Sequence, residues 1–301
     1  MGSPEFAVAS LNALVKTGFN IVAVITAPDK PSGRGLQLNE TAVKKYAVAH
    51  QLKILQPEKL KNPEFLTELA SLKADLQVVV AFRMLPEVVF SMPPMGTLNL
   101  HGSLLPEYRG AAPINWAIIN GEKQTGVTTF KLQQQIDTGN ILMQESFPIG
   151  ENDTAGEVHD RMKEIGAALL VKTIQHLEKG DLKEVPQDPL SELSALKHAP
   201  KIFTETARIN WDKSVEEIHN LVRGLSPFPG AFTYLDEKIL KILRSTKEKG
   251  TTTVSPGSYT TDGKTFLKFA ATDGYIILHE LQLEGKKKML VEDFLRGHRF
   301  P

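Results

Sequence analysis

Three polar residues near the middle of the chain have types and spacing suited to acyl transfer. Asn99 and His101 are two residues apart, so on a strand their side chains point to the same face of the sheet. Asp137 follows in a second polar loop, residues 136–139. An Asn amide and an imidazole can stabilise the oxyanion of a tetrahedral intermediate, and an Asp beside the imidazole can orient it or accept a proton. Together the three residues predict attack by an amine on an acyl group.

Each of these residues also has an ordinary structural explanation. An Asn before a turn is commonly a turn former, a lone His is commonly structural, and Asp-Thr-Gly is a frequent turn. Asp-Thr-Gly also occurs in aspartic proteases, but that chemistry needs two such loops, and this sequence has one. The eight His residues show no spacing of the HxxxH kind, so the sequence does not predict a metal hydrolase.

The elements that must position these residues have the pattern of an α/β domain. Short apolar runs alternate with helical stretches, which predicts a Rossmann-like, mostly parallel sheet with helices on both faces. Asn99 and His101 lie where one of these strands ends, at the sheet edge where ligands bind in open α/β folds. The predicted strands are 21–25, 52–55, 76–82 and 97–101. Capping residues predict helix N-termini at Ser3-Pro4, Asn62-Pro63, Thr154 and Ser214.

The carboxyl-terminal part has a different pattern, that of a small antiparallel β-domain. Short strands are separated by turn signals at 236–237, 262–263 and 273–274. This spacing predicts a small β-barrel of the oligonucleotide-binding (OB-like) kind, and a segment without periodicity precedes it. The predicted division is a catalytic domain at 1–188, a linker at 189–206 and the OB-like domain at 207–301.

The composition excludes several classes of protein. The sequence has no Cys, which removes disulfides, thiolate metal sites and thiol nucleophiles. No apolar run approaches the roughly 20 residues needed to span a bilayer, and the amino terminus has no signal-peptide pattern. The net charge of zero argues against a general polyanion binder. We therefore expect a cytoplasmic protein without membrane contact, and we expect it to be a monomer.

The run Asn-Leu-His-Gly-Ser-Leu-Leu-Pro at 99–106, followed by Asp-Thr-Gly at 137–139, resembles the signature of the folate-dependent formyltransferases. The resemblance implies that Asn99, His101 and Asp137 are the catalytic residues and that 10-formyltetrahydrofolate is the formyl donor, with no metal. It further implies a folate pocket at residues 80–85, where Phe82-Arg83 replaces the usual aromatic-glycine pair of the family. The residues implied to lie against the folate are Ser103, Leu104, Leu105, Pro106, Phe82 and Arg83.

Further segments resemble the branch of this family whose acceptor is initiator methionyl-tRNA. These segments span the whole chain, at 4–8, 28–35, 55–60, 111–114, 207–211, 285–288 and 293–298. The resemblance implies that the loop at 31–39 reaches the tRNA acceptor end, with Arg34 as the contact. Leu36-Gln37 stands where the family usually has two basic residues, so we expect a shallower salt dependence of tRNA binding.

Two basic clusters in the carboxyl-terminal domain are candidate RNA contacts. One lies at 238–249 and the other at 285–288. A basic strand and a basic loop on a small barrel can follow an RNA backbone, although charge alone equally fits a solvated face. With the resemblance, RNA contact is the favoured interpretation. The predicted tRNA-binding residues here are Lys241, Arg244, Lys286, Lys287 and Lys288.

Three other functions and one structural departure stay open. The acceptor can be a small amine, water can replace the amine and release formate, or the chain can be a tRNA-binding module without catalysis. Relatives have a short apolar strand just before the residues that match 1–5, and this sequence starts where that strand ends. We therefore expect the sheet to lack a central hydrogen-bonded strand, through a late start or a truncation.

Overall fold

The computed structural model describes residues 1–32, 37–187 and 196–300, and the chain divides into two compact units. The first unit comprises Met1–Gly110, Gly126–Phe147 and His159–Lys197. The second comprises Ala111–Thr125, Pro148–Val158 and His198–Pro301. Two short segments from earlier in the chain therefore belong to the same unit as the carboxyl-terminal part. The boundaries after residues 188 and 206 stay a prediction, and residues 188–195 lie outside the described part of the chain.

Helices and strands alternate in the first part of the chain, and strands dominate the last part. The helices are α1 Glu5–Lys16, α2 Ala42–Ala49, α3 Pro63–Ser71, α4 Glu87–Phe90, α5 Pro113–Ile119, α6 Ala155–Lys179, α7 Thr204–Ala207, α8 Val215–Gly224 and α9 Val291–Gly297. The strands are β1 Val24–Ile25, β2 Lys30–Ser32, β3 Gln37–Asn39, β4 Ile54–Leu55, β5 Gln77–Val80, β6 Thr97–His101, β7 Arg109–Gly110, β8 Gln124–Lys131, β9 Ile141–Pro148, β10 His198–Ala199, β11 Ala231–Leu235, β12 Lys238–Lys249, β13 Tyr259–Thr261, β14 Leu267–Ala271, β15 Gly274–Leu283 and β16 Met289–Leu290.

The α/β part contains a four-stranded sheet in the order β5-β6-β8-β9 and a separate parallel pair, β1-β4. Strand β6 carries the Asn99 and His101 positions and lies between two neighbours. It runs parallel to β5 on one side and antiparallel to β8 on the other. Neighbours on both sides hold β6 in a fixed register, so the direction of its side chains is also fixed.

Among the residues described, the first residues of the chain form backbone contacts with both sheets of this part. Gly2 forms a single parallel bridge with Val80, and its amide donates to the Ile25 carbonyl at 3.0 Å. A cavity of about 150 Å³, lined mainly by apolar side chains of α1, β1 and β5, lies beside this bridge. The pair β1-β4 is thus a sheet separate from β5-β6-β8-β9, and the strand predicted at 21–25 is reduced to Val24–Ile25.

The carboxyl-terminal part is built on an antiparallel sheet in the order β11-β12-β15-β14-β13, with β16 on β15. Asp236 and Glu237 both have positive φ in the two-residue turn between β11 and β12, as a tight hairpin requires. The apolar face of α8 packs on the sheet around Ile218, Val222 and Leu225. The predicted antiparallel β-domain is confirmed, and the helix α9 after it was not anticipated.

Local capping signals identify most of the helix starts. Thr154 and Glu157 form reciprocal hydrogen bonds at the start of α6, and Ser214 and Glu217 form a capping box at α8. The prediction for α1 is wrong in detail, because Pro4 is the N-cap residue and no side chain caps the helix. The Ser3 hydroxyl instead accepts a hydrogen bond from the Ala27 amide. None of the helices in the described ranges has both the length and the apolar character to cross a membrane.

Candidate active site

Strand β6 presents Asn99 and His101 at its carboxyl-terminal end. Asn99 pairs with Val79 on β5 and with Phe130 on β8, and His101 pairs with Thr128 on β8. The two side chains share one face because they are two residues apart. Among the described residues, no hydrogen bond involves the side-chain amide of Asn99. This half-buried donor is therefore available to a ligand.

The His101 ring is buried, with 7% of its surface exposed, and its two nitrogens face different partners. Nε2 lies 3.0 Å from the Tyr108 carbonyl oxygen. Because a carbonyl can only accept, Nε2 carries the hydrogen and donates it. Nδ1 lies 3.8 Å from Oδ2 of Asp137, a distance suited to charge attraction and too long for a hydrogen bond. Nδ1 is thus the ring nitrogen that faces the carboxylate.

Asp137 is held in place by its own backbone and by a neighbouring loop. Its φ of +54° is in the left-handed region, which Asp tolerates better than most residues. Its Oδ2 accepts a hydrogen bond of 3.0 Å from the Gly110 amide. Gly139 ends the Asp-Thr-Gly turn where no side chain fits, since a Cβ there would lie 1.6 Å from the Lys131 carbonyl oxygen. The turn therefore places the carboxylate at the end of β6.

The predicted folate loop at 103–106 is fixed from the inside. The Ser103 hydroxyl donates to the Glu107 carbonyl at 2.6 Å, so it serves the loop itself. The buried Thr128 hydroxyl donates to the Ser103 carbonyl at 2.7 Å and accepts from the Leu105 amide at 3.1 Å. Leu104 and Pro106 are half-buried and Leu105 is buried. The two half-buried residues are the members of the loop with surface left for a ligand.

The pair Phe82-Arg83 lies in the turn after β5. Phe82 is half-buried against the apolar cluster around Ile25 and Val79. The Arg83 guanidinium stands 5.6 Å from the Phe82 ring centre and donates to the carbonyl oxygens of Pro57 and Glu58. Arg83 therefore ties two loops together, and its exposed side chain covers one face of the Phe82 ring.

The predicted tRNA contacts fall into three situations. Arg34 lies outside the described residues. Arg244 forms an ion pair of 2.6 Å with Glu157, and the Lys241 ammonium donates to the Pro229 carbonyl at 2.8 Å. Lys286 and Lys287 are exposed, and Lys288 lies 3.7 Å from Glu280. The pairing of β12 with β15 sets Lys241 opposite Gln282 and Arg244 opposite Glu280, so the first half of the basic strand lies at the same end of the sheet as the basic loop.

Two backbone groups that complete the site were not identified from the sequence. The Tyr108 carbonyl and the Gly110 amide orient His101 and Asp137, respectively. Their position in the Tyr-Arg-Gly run just after the Ser-Leu-Leu-Pro loop was the available signal. In the described ranges, no three His, Asp or Glu side chains cluster in a way that would hold a metal ion.

An amide donor and a histidine–aspartate pair thus lie together at the end of a central strand, an arrangement suited to acyl-group transfer. Residues 1–174 match the family model for formyl transferases, and residues 201–299 match the model for the formyl transferase carboxyl-terminal domain. The chain belongs to the formyl transferase family.

Individual relatives agree with this assignment. The chain is 49% identical over 302 residues to the methionyl-tRNA formyltransferase of Bacteroides fragilis, covering 99% of this chain and 93% of that protein. It is 52% identical over 306 residues to the protein of the same name from Phocaeicola vulgatus, covering 99% and 94%. An N-formyltransferase from Helicobacter canadensis, solved with folinic acid and dTDP-3-aminofucose, has a TM-score of 0.69 at 24% identity, covering 96% and 97%. The expected fold class is thereby confirmed.

Proposed function

We propose that this chain transfers the formyl group of 10-formyltetrahydrofolate to the methionine amino group of initiator methionyl-tRNA, for translation initiation in the cytoplasm. The observation that carries the proposal is the approach of the Asp137 carboxylate to the His101 ring, on the face of β6 that also bears Asn99. Membership of the formyl transferase family and the whole-length similarity to methionyl-tRNA formyltransferases support the acceptor.

In this reaction the amine nitrogen attacks the formyl carbon and creates a tetrahedral intermediate with an oxyanion. The Asn99 amide donates a hydrogen bond to that oxyanion, as such preorganised donors do in acyl transfer. Collapse of the intermediate breaks the bond between the formyl carbon and N10 of the folate. The His101–Asp137 pair accepts the proton that the amine loses, and the leaving N10 gains one. The Tyr108 carbonyl keeps the imidazole oriented during both steps.

The folate lies against the loop at 103–106 and the Phe82-Arg83 turn. Leu104, Pro106 and the Phe82 ring offer partly exposed apolar surface for a flat pterin. Ser103 and Leu105 contribute by holding the loop in shape, through the hydrogen bonds to Glu107 and Thr128.

Initiator methionyl-tRNA is proposed to contact the loop that carries Arg34 and the basic end of the carboxyl-terminal sheet. Lys286 and Lys287 are exposed, whereas Arg244 must give up Glu157 before it contacts a phosphate. Lys241 lies opposite Gln282, and Arg244 lies opposite Glu280, which Lys288 approaches to 3.7 Å.

The test is direct formylation of the proposed acceptor. The purified chain is mixed with 10-formyltetrahydrofolate and methionyl initiator tRNA, and formyl-methionine attached to the tRNA is measured. We expect product from the natural sequence and little from His101→Ala, with the exposed His198→Gln as a matched control that keeps full activity.

Other outcomes would contradict the proposal in distinguishable ways. Formate released without a formylated tRNA would indicate hydrolysis. Formylation of a small amine in preference to methionyl-tRNA would indicate another acceptor. Full activity of both Asn99→Ala and His101→Ala would exclude the proposed chemistry, whatever the acceptor.

A further inference from the structure

A short segment after α6 lies against the loop that carries Asp137. Val185 and Ile141 exchange two backbone hydrogen bonds of 2.8 Å, so the segment runs antiparallel to the beginning of β9. The Glu184 carboxylate accepts from the Asn140 amide at 3.0 Å and pairs with Lys131. We refer to residues 184–187 as the clasp. Its contacts flank the Asp-Thr-Gly turn on the side of β9.

Gln187 is the residue of the clasp that contacts the turn itself. Its Nε2 donates to the Asp137 carbonyl at 2.9 Å and to the Gly139 carbonyl at 2.8 Å. Its Oε1 accepts from Arg109 Nε at 3.0 Å and also from Nη2 of the same guanidinium. Both hydrogens and the oxygen of this one amide are therefore used, and they join two separate loops.

In the loop on the other side of Gln187, two residues contact the catalytic candidates and the residue between them contacts Gln187. The Tyr108 carbonyl accepts from His101, the Arg109 guanidinium donates to Gln187, and the Gly110 amide donates to Asp137. Arg109 is buried, so its charge needs hydrogen-bonding partners inside the protein. The loops at 108–110 and 137–139 are consequently joined twice, once at Gly110 and once at Gln187.

We infer that Gln187 is a positioning residue for formyl transfer, which sets the separation of His101 and Asp137 by holding these two loops together. The inference rests on the proposed function. Gln187 contacts neither the imidazole nor the carboxylate, so it acts through the backbone of Asp137 and through Arg109. A misplacement of about 1 Å in a catalytic group can reduce turnover about 100-fold. Loss of the Gln187 hydrogen bonds should therefore affect kcat more than substrate binding.

Two variants separate positioning from folding. Gln187→Ala removes the side-chain hydrogen bonds that connect the two loops. Gln187→Glu keeps the size of the side chain and its acceptor for Arg109, but it places an acceptor against the two carbonyl oxygens that Nε2 now serves. Gln134→Ala is the matched control, because Gln134 is an exposed amide beside the same turn. We expect both Gln187 variants to lose about 10-fold to 100-fold in kcat, with KM for each substrate changed less than about threefold.

Two further readouts distinguish the inference from a general loss of structure. The pH profile of kcat should change shape in both Gln187 variants and stay unchanged in Gln134→Ala. Exchange of the Gly110 amide hydrogen, measured by NMR, should accelerate in both, because its bond to Asp137 then opens more often. If one variant fails to fold, the other still reports all three quantities.

The inference would be overturned by normal kcat in a folded Gln187 variant, by a loss confined to KM, or by a loss that only follows the folded fraction with an unchanged pH profile. A wild-type chain that does not formylate methionyl-tRNA would instead contradict the proposed function. In that case Gly110 exchange alone decides whether Gln187 joins the two loops, since it needs no activity.

Discussion

Two buried histidines, one in each unit, have opposite surroundings. His101 is 7% exposed and faces acceptors, the Tyr108 carbonyl and the Asp137 carboxylate. His219 is 1% exposed, with Nδ1 against the Ser245 hydroxyl at 3.1 Å. Burial, together with the charges of Lys247 and Arg223, lowers the pKa of His219. The two imidazoles are therefore alike in burial, and the proposed catalytic one differs from His219 in the signs of its neighbouring groups.

The largest expected effect follows from the loss of the His101 ring. His101→Ala should lower kcat/KM for formyl transfer by about 100-fold to 1,000-fold, because the imidazole that forms the proton-accepting pair with Asp137 is removed. The variant should still fold, since among the described residues the ring makes a single hydrogen bond. Steady-state kinetics and a thermal melt measure activity and folding, respectively. His219→Ala is the comparison, and an equal loss of activity in a folded His219→Ala would contradict the division of roles.

A second variant tests whether the region around His101 depends on buried polar groups that are fully hydrogen-bonded. Thr128→Val keeps the shape of a fully buried side chain but removes bonds to the Ser103 carbonyl, the Leu105 amide and Gln144. Buried groups left without partners should lower the free energy of unfolding by about 2–3 kcal/mol. Urea denaturation checks this value.

The same variant should raise KM for the folate, because Thr128 fixes the loop at 103–106. Thr67→Val is the control, since its hydroxyl makes a single bond on an exposed helix surface. Equal stability of the two variants would show that the Thr128 network contributes little.

The parts of the site that sequence predicted are those fixed by local geometry. Asn99 and His101 share a strand, so their common face follows from a period of two residues. The capping pairs at Thr154 and Ser214 act over three residues and were found where expected. Ser3 was predicted as a cap and is not one, because the Ala27 amide, distant in sequence, takes its hydroxyl. Whether the predicted site residues carry out their roles stays a prediction.

The parts that sequence did not predict depend on contacts between distant segments. Gln187 lies after the end of α6, and its partners are 48 to 78 positions away, so no local pattern marks it. The partners of the basic residues were equally hidden, since Arg244 pairs with Glu157 from another part of the chain. A cluster of like charges in a sequence shows where cations are and gives no information on which of them are already paired.

The third test concerns how the free energy of unfolding depends on pH through His219. The unfolded state binds a proton near pH 6.5, whereas the lowered pKa keeps folded His219 neutral to lower pH. The unfolded state therefore binds more protons in that window, and the free energy of unfolding should fall as pH falls below about 6.5. One such group contributes a slope of at most about 1.4 kcal/mol per pH unit.

His219→Gln should flatten this slope, which urea denaturation at pH 5, 6 and 7 would reveal as a difference from the natural sequence. His198→Gln is the matched control at an exposed position. Parallel curves for the natural sequence and His219→Gln would remove the assignment of His219 as a histidine buried in its neutral form.

The smallest expected effect separates paired from unpaired cations on the carboxyl-terminal sheet. Burial acts to raise the pKa of Glu157, but hydrogen bonds from Arg244 and Thr154 outweigh it and hold the pKa at about 2. Glu157 therefore stays ionised and competes with phosphate for Arg244.

Each phosphate contact contributes roughly 0.7–0.9 to the slope of log affinity against log salt concentration. Lys287→Gln should lower the slope for methionyl-tRNA by about that amount, and Arg244→Gln by clearly less. Measuring tRNA binding between 50 and 200 mM salt tests this order, with the exposed Lys59→Gln as control. Equal reductions of the slope in Lys287→Gln and Arg244→Gln would mean that the tRNA displaces Glu157 from Arg244.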